Sequence, residues 1–143
     1  MKSFEIRTQS DVLKIYALAD SLKELFSASL EGLCELMHPN EGEPRTEFDF
    51  TKSITIESID MSALLVDFLS YSLSLMHKNR AIFSKIEIKE LDEDYLQGVL
   101  HGYNIEEFAK NVKSISFHGA EIFPTIDNKF EVTIVPEIGN ILE

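Results

Sequence analysis

The chain has 143 residues, with 13 Lys plus Arg against 25 Asp plus Glu and a net charge of −12. At that length one domain is expected, burying about two thirds of the unfolded chain's surface, and 44% hydrophobic residues with ten Phe exclude wholesale disorder. The acidic balance excludes a protein that grips nucleic acid by itself, because such binding needs Lys and Arg to neutralise phosphates, and it points to a basic partner.

In chain order, residues 2–7 and 12–18 read as two short extended segments around the turn Thr8-Gln9-Ser10-Asp11. Residues 1–10 lack the charged start and apolar stretch of a secretory signal, and no later run approaches the roughly 18 apolar residues that span a bilayer, so a soluble, cytoplasmic protein is expected. Ser21-Leu22-Lys23-Glu24 has the spacing of a capping box. Behind it Leu22, Leu25, Phe26, Leu33, Leu36 and Met37 recur at three- and four-residue steps, which predicts an amphipathic helix ending near His38-Pro39. Cys34, the single cysteine, lies among Leu30, Leu33 and Met37 of that helix. It excludes an internal disulfide and any multi-cysteine metal site, and reads as a buried, inert thiol.

Residues 40–44 form a polar loop with Pro and Gly, and the alternation of Phe48, Phe50, Ile54 and Ile56 predicts one long strand or two short ones. Asp60 caps a second helix, apolar around much of its circumference (Leu64, Leu65, Phe68, Leu69, Leu73, Met76) and closed by Lys78-Asn79-Arg80. Residues 83–89 alternate strictly, 91–94 form a turn, and 95–100 return as a strand. One helical turn is predicted over 105–110, then strands over 113–118, 120–123 and 130–135, the last two joined by a turn at Asp127-Asn128. The pattern is α+β, without internal repeat or linker.

The phosphate-loop, dinucleotide, zinc-protease and nucleophile-elbow motifs are absent. His38, His77, His101 and His118 lie on separate segments without paired ligand spacing; His38 and His77 suit helix ends. His118, beside Gly119 at the end of a predicted strand, is a candidate binding group or a plain turn residue. Asp11, alone between two strands, reads as a turn-former. The acidic stretches 41–47 and 90–94 read as solvated loops.

Four strings in register carry a resemblance: Asp11-Val12 after the opening strand; Gly32-Leu33-Cys34-Glu35-Leu36-Met37; Leu64-Leu65-Val66-Asp67-Phe68-Leu69; and Val112-Lys113-Ser114-Ile115-Ser116-Phe117-His118-Gly119. Together they resemble the archease family, accessory proteins of the RtcB-type RNA ligase that joins RNA ends bearing a 3′-phosphate. The resemblance implies one α+β archease-like domain over 1–143, with 139–143 as a C-terminal extension. It also implies a non-catalytic role, promoting guanylylation and turnover of the ligase in tRNA splicing and RNA repair. Carried over residue by residue, it makes Asp11 and Glu137 the ligands of a divalent metal, calcium or magnesium, and puts Lys113 and His118 on the partner-binding surface. The chain departs from the family pattern at Thr8, Gln9-Ser10 and Ser70-Tyr71, and it runs beyond Ile138. The alternative is a chaperone-like binding module, without metal, that modulates a tRNA-modifying enzyme. A hydrolase using Asp11, Glu137 and His118 is disfavoured, because no nucleophile with a positioned base is legible.

Overall fold

A computed structural model describes residues 1–39 and 46–139. The predicted loop at 40–44, most of the acidic stretch 41–47 and the extension after Gly139 lie outside the described residues. The chain opens with β1 (Lys2–Gln9) and β2 (Val12–Ala19), antiparallel from Lys2↔Ala19 to Gln9↔Val12. Their two-residue link, Ser10-Asp11, has φ of 51° and 64°. Positive φ at both positions is the turn whose twist matches that of the flanking strands, and aspartate tolerates it better than most residues.

Helix α1 (Leu22–Met37) starts where the capping box predicts: Ser21 Oγ accepts a hydrogen bond from the Glu24 amide at 3.2 Å. Its apolar stripe, including Leu25, Phe26, Leu30, Leu33 and Met37, is fully buried. Gly32 lets it settle closely on β2, since a Cβ there would lie only 2.5 Å from Ile15 Cγ2.

The alternating segment forms a single strand, β3 (Phe50–Glu57), followed by α2 (Met61–Asn79). Asp60 caps α2, its Oδ1 accepting from the Ala63 amide at 2.8 Å, and His77 and Lys78 occupy the last turn before the left-handed Arg80. The next hairpin, β4 (Ala81–Asp92) and β5 (Tyr95–Asn104), is longer than the predicted 83–89 and 95–100. Ala81, Ile82 and Phe83 are all fully buried, so the segment shows no alternation to read, and β4 bulges between Phe83 and Lys85.

The last third corrects the sequence reading most. Residues 105–110 form no helical turn; two of their amides serve the ends of other elements instead, Ile105 N–H donating to the Arg80 carbonyl at 3.1 Å and Ala109 N–H to the Met37 carbonyl at 2.7 Å. The strand predicted over 113–118 is β6 (Val112–Ile115), and that over 120–123 shrinks to β7 (Phe123–Pro124). Between them the amides of Ala120 and Glu121 bond within the loop and that of Ile122 donates to Ser62 Oγ at 3.0 Å, so no sheet partner is taken. β8 (Phe130–Ile134) follows the expected turn, with Asn128 at φ 63°, and an unpredicted β9 (Pro136–Ile138) pairs with β6.

Among the described residues the strands form three sheets, ordered β1-β2-β8-β7, β3-β5-β4 and β6-β9. Helix α1 packs on β1, β2 and β8 from the first sheet and on β4 from the second; α2 packs on β3, β4, β5 and β6. One hydrophobic core fills the space between, with the Phe26 and Phe68 rings 5.7 Å apart joining the two helices. No helix among the described residues is long and apolar enough to cross a membrane.

Candidate functional site

Lys113 and Glu137 become neighbours only through the β6–β9 pair. Ile115 faces Pro136, Ser114 faces Glu137 and Val112 faces Ile138, with the register slipping between Val112 and Ser114. That slip leaves Lys113 as the extra residue of a bulge, a device that re-aims a side chain. Its stem runs over Gly139, where a Cβ would come 2.5 Å from Lys113 Cδ and 2.6 Å from Cγ. Gly139 is held there by its amide, which donates to the Asn111 carbonyl at 2.7 Å. Both Lys113 and Glu137 are exposed, a cation and an anion side by side on one short ribbon.

Asp11 approaches the same ribbon by a different route. The β2–β8 register reaches Ile15↔Ile134, and after Val135 the chain continues as β9, which touches β2. Since β2 and β8 run antiparallel, this continuation carries Glu137 toward the start of β2 and its Ser10-Asp11 turn. Both carboxylates supply hard oxygen donors of the kind calcium and magnesium take, a shell that backbone carbonyls and waters ordinarily complete. Among the described residues no group of three or more His, Cys, Asp or Glu could hold a metal.

His118 lies outside β6, in the loop of residues 116–122, not at a strand end as predicted. It is exposed, and its amide donates to Ser116 Oγ at 3.1 Å. Beside it Phe117 is 61% exposed, and across the loop Phe123 is 50% exposed. Sequence reading assigned both rings to strands, which holds for Phe123 in β7 but not for Phe117, and singled out neither as a surface feature; Gly119, at φ 76°, was the local sign that the chain turns there.

The other histidines serve the scaffold. His77 Nε2 lies 2.7 Å from the Val112 carbonyl with its ring against Phe108, His38 ends α1 against Tyr103, and His101 meets Glu87 at 2.6 Å. Cys34 is buried as expected, with Sγ donating to the Phe83 carbonyl at 3.3 Å, and burial pushes its thiol far above the usual range.

The Archease protein family (MTH1598/TM1083) matches residues 5–138. The chain belongs to the archease family. It is similar to the solution structure of protein 1598 from Methanobacterium thermoautotrophicum, at 25% identity and a TM-score of 0.75 over 94% of this chain and 97% of that one. It shares the fold of a Thermotoga maritima protein described as an archease and possible chaperone, at 11% identity and a TM-score of 0.61 over 93% and 95% of the two chains. A comparison with curated proteins finds no match. The α+β archease fold thus holds despite the departures at Thr8 and Ser70-Tyr71, which fall in a hairpin strand and on α2 without disturbing either element.

Proposed function

We propose that this archease is a non-catalytic protein partner of an RtcB-type RNA ligase, promoting guanylylation of the ligase and its turnover in tRNA splicing and RNA repair. The observation that carries the reading is the family match over residues 5–138, joined to a fold shared along nearly the whole chain. The net charge of −12 supports it, because an acidic protein is steered toward a basic RNA-handling enzyme chiefly through a faster association rate. Lys113, His118, Asp11 and Glu137 are exposed polar groups at turns and strand ends, where contacts to a partner can form without disturbing the core.

The test is single-turnover guanylylation of the ligase from the same organism with GTP, with and without this protein and its Asp11→Asn variant. Asparagine keeps the left-handed turn while removing the charge. Acceleration by the parent chain that falls in the variant is the expected result. No acceleration, with folded protein and active ligase, refutes the proposal. It would favour the chaperone-like module instead; the Thermotoga maritima protein is described as a possible chaperone.

A further inference from the structure

The start of α2 and the 116–122 loop enclose an open groove of about 380 Å³, lined by Asp60, Ala63, Phe117, Gly119, Glu121 and Phe123. The groove is held open by its own framework. Ala120 is 6% exposed and anchors the loop in the core, and the Ile122 amide donates to Ser62 Oγ at 3.0 Å, tying the loop to the first turn of α2. On either side of these anchors Phe117 and Phe123 are 61% and 50% exposed, and Ile59 beside Asp60 is 89% exposed. Large apolar side chains clustered at the surface around a concavity mark an interaction site.

The charges on the rim decide what fits. Asp60 and Glu121 are exposed carboxylates, neither of them ion-paired among the described residues, and no cation lines the groove. The positive end of α2, which elsewhere attracts anions, is already met by the Asp60 cap. A phosphate or an RNA strand would therefore meet two carboxylates and no cation. A second copy of this chain, at −12, would bring like charge to like charge.

Guanidinium and ammonium groups, by contrast, gain twice here, from the faces of aromatic rings and from the carboxylates beside them. We propose that this groove binds a basic segment of a partner protein, seating an arginine or lysine between the Phe117 and Phe123 rings and the Asp60 and Glu121 carboxylates. This names a docking surface for the function proposed above and rests on that reading for the identity of the partner, but not for the chemistry of the groove.

The chemistry is tested first with a probe that needs no ligase. ¹⁵N-labelled protein is titrated with a capped Arg-Leu-Arg peptide and with its Glu-Leu-Glu counterpart. Shifts confined to the first turn of α2 and to residues 117–123, produced by the basic peptide alone and reduced by salt, are expected. Phe117→Ala and Glu121→Gln should each weaken that binding about two- to fivefold, the scale of one exposed cation–π or ion-pair contact. Both positions are exposed, so the fold is not at risk. No shifts, shifts scattered over the surface, equal response to the acidic peptide, or a concentration-dependent dimer that closes the groove would each overturn the proposal.

The same variants are then compared for binding to the ligase. Parent binding that weakens in both variants supports the docking surface, and parent binding unchanged by either overturns it. A parent chain that does not bind the ligase at all refutes the proposed function and leaves the peptide titration to decide the groove.

Discussion

Gly32→Ala probes the contact that sets the distance between α1 and β2. The added methyl would lie 2.5 Å from Ile15 Cγ2 and 3.4 Å from Phe4 Cδ1. Carbon atoms rest at about 3.5–4.0 Å, so something must move by about 1 Å. Ile15 is fully buried and β-branched, and its strand is paired on both sides, to β1 and to β8. Its Cγ2 therefore cannot swing aside without leaving a favoured rotamer. Overpacking of this kind costs about 1–3 kcal/mol, while the better helix propensity of alanine offsets about 1 kcal/mol. The net expectation is a loss of about 1 kcal/mol.

In an Ile15→Ala background the sign should reverse. That change by itself costs about 2–5 kcal/mol and leaves a cavity, but it also removes the blocking methyl. Gly32→Ala should then stabilise by about 1 kcal/mol through helix propensity alone. Urea unfolding of the four proteins, with a shared m value, closes the cycle with a coupling of about 2 kcal/mol. A Gly32→Ala chain more stable than the parent, or an equal effect in both backgrounds, would refute this account of the packing.

Cys34 should resist alkylation in the folded protein and react fully in urea, since its thiol is buried and held far from ionisation; fast reaction under native conditions would contradict its placement. Tyr16 donates to Glu131 at 2.5 Å, and this bond, with burial second, raises its phenol above the ordinary value of 10.0. A group raised in the folded state contributes full stability below its unfolded pKa and loses it as pH climbs through the folded one. The urea midpoint of the parent should therefore fall toward that of Tyr16→Phe above a pH of about 10, whereas a gap that stays constant with pH would show the bond to be irrelevant. Ser21→Ala and Asp60→Ala each remove a helix cap and should each lower stability by about 1 kcal/mol in the same assay; Asp60→Asn, which keeps a capping oxygen, should lose much less.

Both helices were legible because everything they need is local. The Ser21 and Asp60 caps lie beside the turns they close, and the apolar stripes repeat at the helix's own period, so residues a few positions apart carry the whole message. The opening hairpin was legible for the same reason, with Asp11 in its turn, although that turn is Ser10-Asp11 alone and Thr8 and Gln9 pair within the strand. Where strands run buried on consecutive residues, as at Ala81, Ile82 and Phe83, the period disappears and the ends of β4 and β5 went unread. Residues 105–110 have helical spacing, yet the amides of Ile105 and Ala109 are taken by the Arg80 and Met37 carbonyls, partners more than twenty positions away in the chain. The β6–β9 pair, which sets Lys113 beside Glu137, and the anchoring of the 116–122 loop on Ser62, which leaves Phe117 and Phe123 in water, arise the same way. Their hydrogen bonds are satisfied across the fold rather than within the segment, so only the assembled core decides which side chains those segments bury and which they offer to a partner.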